Sequence, residues 1–164
     1  MPPTDRTPFQ VLILCTGNSA RSQIAEALLQ RKSAGRFVVE SAGSTPAARV
    51  NSFAVEVLRE AGINWEGRTP RGLDAVADRH WDFVITVCDR AREACPILPG
   101  QPIMAHWGMA DPAAVEGDQA EQRRAFHSAL VLLNRRIDLF LALPLEKLER
   151  LAAERGVRQI GEAQ

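Results

Sequence analysis

The sequence predicts an α/β fold: a single domain built on a four-stranded parallel sheet flanked by helices on both faces. Three observations carry this expectation. Short apolar, β-branched runs alternate with helical stretches along the chain. The strongest of these runs are continuous, as strands buried on both faces require. The length of 164 residues suits one core, and no linker or internal repeat divides it.

Each element follows from its own residues. The opening MPPTDRTPFQ has no long apolar stretch, so it is neither a signal peptide nor an anchor, and residues 1–8 read as a flexible lead-in. FQVLILC, residues 9–15, is the first buried strand. RSQIAEALLQRKSAG, residues 21–35, follows as a helix, with Ile24, Ala27, Leu28 and Arg31 at helical spacing and Gly35 as its stop. RFVVESAG, residues 36–43, is a second strand, and NSFAVEVLREAG, residues 51–62, a second helix opened by Val50 or Asn51 and closed by Gly62. GLDAVADRH, residues 72–80, reads as a third helix. DFVITVC, residues 82–88, is a third strand that again ends on a cysteine, and QPIMAHW, residues 101–107, is a weaker fourth. From Gln119 to Leu141 a long helix sets Phe126, Leu130, Leu133, Ile137 and Phe140 on one face. Pro144 breaks it, LEKLERLAAERG at 145–156 forms the last helix, and residues 156–164 are expected to fray, leaving 9–155 as the domain.

Composition narrows the function. Twenty basic and twenty acidic residues cancel, so the charge gives no case for nucleic acid or an anionic membrane as partner. A cytoplasmic location is expected. In that reducing compartment three cysteines do not suggest a structural disulfide framework. The odd count points to catalysis, metal binding or packing.

The chemistry concentrates in LILCTGNSARSQ, residues 12–23. A parallel sheet binds ligands beyond the carboxyl ends of its strands, and Cys15 and Cys88 stand at two such ends. After Cys15 come Thr16, Gly17, Asn18, Ser19 and Ala20, small residues whose N–H groups can turn onto one anion. Gly17 and Asn18 tolerate positive φ. The helix that starts near Arg21 adds its positive end, and the Arg21 guanidinium matches two oxygens of a tetrahedral oxyanion. The same field is expected to lower the pKa of Cys15 and make it a thiolate nucleophile, with Ser22 donating to the sulfur. The Gly-Lys-Ser/Thr ending of a nucleotide P-loop is missing.

Cys88 and Cys95 stand seven residues apart. If DRAREAC is helical their Cα atoms are roughly 10 Å apart, whereas a disulfide needs about 7 Å or less. Either the segment is a loop, or it unwinds when the bond forms. This spacing is not that of a structural zinc site, and His106 is the only obvious further ligand. His80 and His127 read as surface residues, the arginines at 123, 124, 135 and 136 as solvated, and Trp107 as a wall of the site or a packing residue.

VLILCTGNSARSQIAEALL resembles the phosphate-binding loop of low-molecular-weight protein tyrosine phosphatases, and more closely that of the arsenate reductases that share their fold. The resemblance runs through SAG at 41–43, VCDRAREACP at 87–96, HWGMADPA at 106–113 and FLALPLEKL at 140–148. It implies the low-molecular-weight phosphotyrosine phosphatase-like fold and arsenate reduction, with a role in arsenical resistance. Cys15 then attacks arsenic, Cys88 attacks Cys15 and releases arsenite, and Cys95 attacks Cys88. The redox-active Cys88–Cys95 disulfide passes to an external thiol reductant, by resemblance thioredoxin, so no resident cofactor is expected. Thr16 to Ser22 bind the oxyanion. Asp111, held extended before Pro112, protonates the leaving oxygen. Some reductases of this family hold a potassium ion beside the loop. Here RTPRGLD brings Arg71 to that region, near Asn18, Glu26 and Ser41, and no metal is expected. The alternative is a tyrosine phosphatase acting through a Cys15 phosphoenzyme. The chain departs from that pattern: it has no tyrosine, and AAVEG follows Asp111–Pro112. A noncatalytic oxyanion sensor would not need Asp111.

Overall fold

Four strands take up the apolar runs in a computed structural model that describes residues 7–95, 98–147 and 150–162: β1 (Phe9–Cys15), β2 (Phe37–Gly43), β3 (Phe83–Thr86) and β4 (Ile103–His106). They form one parallel sheet in the order β2-β1-β3-β4. Val11 to Cys15 and all of β3 are buried without alternation, so both faces of the two central strands are covered. The edge strands β2 and β4 alternate in part, as strands with one wetter face do. The chain leaves β1 for one edge and returns beyond it to β3. The carboxyl ends of β1 and β3 therefore flank the switch in strand order, where such sheets open a crevice.

Among the described residues five α-helices accompany the sheet: α1 (Arg21–Lys32), α2 (Ser52–Glu60), α3 (Asp89–Ala94), α4 (Gln119–Leu141) and α5 (Arg150–Glu162). Asn51 caps α2, its side chain accepting from the Phe53 N–H at 2.8 Å. Helix α4 packs on α1, α2 and α5 and buries Phe126, Leu133, Ile137 and Phe140. Phe140 stacks on Phe37 and meets Phe83 and Trp107 edge-on, with ring centroids 5.1 to 5.7 Å apart. Among the described residues no helix is long and apolar enough to cross a membrane.

Three expectations are corrected. Residues 72–80 hold only a 3-10 turn at Leu73–Ala75. The Val76 carbonyl, which a helix would offer to residue 80, accepts instead from the Trp81 indole at 2.9 Å and the Arg79 N–H at 3.3 Å. The last helix extends further than expected: as described it covers Arg150–Glu162, with Val157 and Ile160 buried, so the tail does not fray after Gly156, while residues 148–149 of the expected helix lie outside the described residues. Its glycines are points of close packing. A Cβ on Gly161 would stand 2.1 Å from the His106 carbonyl oxygen, and one on Gly156 would touch Leu143. Arg136 is buried, not solvated, for a reason that lies in the site. Of the two roles open to Trp107, the structure shows packing: it lies inside the core, 1% exposed, with its indole donating to the Val157 carbonyl at 3.0 Å. Residues 1–6 of the lead-in and 163–164 of the tail lie outside the described residues.

Candidate active site

The loop from Cys15 to Arg21 is held from outside by its own carbonyls. Those of Cys15, Thr16, Gly17 and Ser19 accept from the N–H groups of Ser44, Thr45, Ala47 and Asn51, at 2.9 to 3.2 Å. Because C=O and N–H oppose each other across a peptide, carbonyls turned outward send the N–H groups of Thr16, Gly17, Asn18 and Ala20 inward. Helix α1 starts directly behind, and its N-cap Ala20 has no side chain to occupy the first free N–H groups. Gly43 lets β2 lie against the loop; a Cβ there would stand 2.4 Å from the Thr16 carbonyl oxygen.

Asn18 is the hub of this loop. It is fully buried with φ at +51°, and Gly17 does not share the left-handed conformation expected of both. The Asn18 amide donates to Ser22 Oγ at 2.9 Å and Ser41 Oγ at 2.8 Å. Its Oδ1 accepts from Gln23 Nε2 at 3.0 Å and the Arg71 N–H at 2.8 Å. Ser41 donates onward to buried Glu26 at 3.1 Å. Burial raises the Glu26 pKa against the pull of Arg71, whose guanidinium lies 3.8 Å away and also pairs with Glu40. Asn18→Ala strands several buried partners and leaves alanine in a left-handed conformation. A loss of about 3 kcal/mol is expected, read as a lower urea midpoint. An unchanged midpoint would contradict this role.

Arg21 and Asp111 face the loop together. Arg21 Nη1 donates to the Met109 carbonyl at 2.9 Å, Nη2 lies 3.7 Å from Asp111 Oδ2, and the buried Nε has no hydrogen-bond partner among the described residues. A buried guanidinium N–H without an acceptor is costly and aims at one that arrives with a ligand. Asp111 is extended before Pro112, and its Oδ1 caps the following 3-10 turn through the Ala113 N–H at 3.0 Å. Turn signal and acid position thus coexist in one side chain. Thr16, Arg21, Cys88, Asp89, Arg90 and Asp111 line a cleft of about 310 Å³.

Cys15 and Cys88 are both in the thiol form, with no disulfide between them. Cys15 and Cys88 are buried, and Cys88 Sγ lies 3.2 Å from Oγ1 of the loop residue Thr16. Cys95 is half-buried at the far end of α3, so the DRAREAC segment is helical and separates it from Cys88. The expected thiolate is corrected. Burial pushes the Cys15 thiol up to about 11, against the pull of Arg21, and neighbouring Cys88 adds to the rise. Burial also opposes the Cys88 charge, but the Thr16 hydroxyl, the Ala91 amide, the Cys15 thiol and Arg21 outweigh it, and Cys88 titrates below an ordinary thiol. The two buried sulfurs titrate as a coupled pair, and the hydrogen-bond donors around Cys88 make it the easier of the two to ionise. Iodoacetamide near neutral pH should therefore alkylate Cys88 before Cys15, as peptide mapping would show. Modification of Cys15 first would reverse the assignment.

Two supports escape a reading of the sequence. Arg136 on α4 donates from Nη1 to the carbonyls of Trp107 at 2.9 Å and Gly108 at 3.2 Å, which fixes the chain just before Met109. The spacing held a signal: Arg136 falls three residues after Leu133 and four before Phe140, on the apolar face. His106 turns towards Asp89 of α3, with Nε2 at 3.0 Å from Oδ1. Nothing in the local sequence pairs those two residues.

The family model described as low molecular weight phosphotyrosine protein phosphatase matches residues 10–155. An arsenate reductase of Bacillus licheniformis is 37% identical over 130 residues, covering 79% of this chain and 93% of its own. A solved arsenate reductase in the oxidized state superposes with a TM-score of 0.69 at 26% identity, covering 81% of this chain and 96% of that one. A thioredoxin-dependent arsenate reductase of Corynebacterium glutamicum gives a TM-score of 0.58 at 32% identity, over 83% of this chain and 65% of that one.

Proposed function

The chain belongs to the low molecular weight phosphotyrosine protein phosphatase family, and from that premise we propose that it is an arsenate reductase acting in the reducing cytoplasm. One observation carries the choice within the family: a second sulfur, Cys88, lines the same cleft as the oxyanion loop and lies 3.2 Å from Thr16 Oγ1. Hydrolysis of a phosphate ester needs Cys15, Arg21 and Asp111 alone, whereas reduction of arsenic(V) needs two electrons, which a pair of thiols supplies.

Arsenate takes the inward N–H groups of the loop and the unpartnered Nε of Arg21. Cys15 Sγ attacks arsenic and forms an S–As bond. The proton it gives up leaves on the water made from an arsenate hydroxyl, and Asp111, over the mouth of the loop, is placed to pass it. The Cys88 thiolate then attacks Cys15 Sγ. The S–As bond breaks with its electron pair on arsenic, arsenite departs, and a Cys15–Cys88 disulfide remains. Cys95 attacks Cys88, restores Cys15 and forms Cys88–Cys95. A dithiol of the thioredoxin class reduces that bond, a reading supported by the thioredoxin-dependent relative.

Cys95→Ser tests the sequence of steps. This variant should release one equivalent of arsenite and stop with a Cys15–Cys88 disulfide, seen by mass spectrometry after peptide digestion. Continued turnover with thioredoxin would overturn the role of Cys95.

A further inference from the structure

Helix α3 carries Cys88 before its first residue and Cys95 after its last. Across this helix their Cα atoms stand roughly 10 Å apart, beyond the roughly 7 Å that a disulfide spans. The reduced protein therefore holds α3 wound, and the second exchange requires it to unwind. The stability of α3 enters the equilibrium of the disulfide directly. What pins so short a helix is a question that the relay itself leaves open.

Its first residue is tied to the sheet. Asp89 Oδ1 lies 3.0 Å from His106 Nε2, at the last position of β4. A carboxylate only accepts, so Nε2 carries the proton and donates. His106 Nδ1 meets Thr86 Oγ1 at 2.7 Å, and Thr86 is its register partner on β3. The ring is thus held at both nitrogens. Gly108 leaves room for it, since a Cβ there would stand 2.5 Å from Nε2. Gly161 of α5 backs the same residue at its carbonyl. A rigid imidazole faces an aspartate that is otherwise 87% exposed.

We propose that His106 is a positioning residue of the relay. Through Asp89 it latches the first turn of α3, which stabilises the reduced helical state and holds Cys88 beside Thr16 until the latch opens and α3 unwinds to let Cys95 close. The inference rests on the reductase reading. The closing step is a thiol–disulfide exchange: the Cys15–Cys88 bond breaks, the Cys88–Cys95 bond forms, and Cys15 leaves as thiolate with no net change in oxidation.

The test is the equilibrium of the Cys88–Cys95 couple in the full chain against a dithiothreitol buffer. Asp89→Ala removes the acceptor from an exposed position. It should shift the couple towards disulfide by about fivefold, which at about 30 mV per tenfold is a potential about 20 mV more negative. Asp89→Asn keeps an acceptor and should stay near the parent. Gly108→Ala, which pushes the ring aside, should shift as Asp89→Ala does, and the double variant should shift no further than either. A couple unmoved in Asp89→Ala overturns the latch while leaving the reductase reading intact. A parent protein that forms no Cys88–Cys95 bond in this buffer overturns both.

Discussion

Replacing Cys15 by serine is expected to abolish arsenate reduction and any phosphate-ester hydrolysis, each by at least about 10⁴-fold. For hydrolysis the reason is nucleophilicity: a serine hydroxyl in the same buried position has no base beside it. For reduction the loss has a second cause. Arsenic receives its electrons when Cys88 attacks a sulfur bonded to arsenic, and an oxygen in that place offers no disulfide to form. Cys15 ends β1 in a position with room for the nearly isosteric serine, so the variant should fold as the parent does. Steady-state assays of both reactions on the folded variant check this. Hydrolysis persisting at parental rate in Cys15→Ser would remove Cys15 from the role of nucleophile.

Arg21→Lys should lower kcat/KM for arsenate by about 10²- to 10³-fold, with most of the loss surviving at saturating arsenate. Arg21 does two things at once: Nη1 holds the Met109 carbonyl and Nε is left for the ligand. Lysine keeps the charge but not the planar fork. It cannot hold the chain ahead of Asp111 and present a second donor to the oxyanion in fixed geometry. The variant therefore loses orientation of the acid and stabilisation of the developing charge together. A kcat/KM within threefold of the parent would show that charge alone suffices and that the fork is dispensable.

Much of this site was legible in the residues. An unbroken apolar run closing on Cys15, small residues after it and Arg21 at the start of a helix define a loop whose chemistry depends on order along the chain. The strands were readable for the same reason: burial on both faces leaves a local pattern. The segment at 72–80 misled because its helical periodicity is overridden by the Trp81 indole, which takes a carbonyl a helix would use. The glycines of α5 misled because they mark close approach to β4 and Leu143, which no local pattern shows. The opposite shifts of the Cys15 and Cys88 thiols were illegible too. They depend on the strands β1 and β3 being neighbours and on Thr16 reaching Cys88, both properties of the tertiary fold.

The central claim is that arsenate takes its two electrons from this protein's own sulfurs. It is tested most directly by mixing the reduced protein with arsenate, without external reductant, and counting thiols by mass spectrometry. Two thiols lost per chain, recovered as a Cys88–Cys95 bridge with one arsenite released, is the predicted result. Three thiols intact after arsenate exposure, with steady turnover of an aryl phosphate by the same sample, would contradict it.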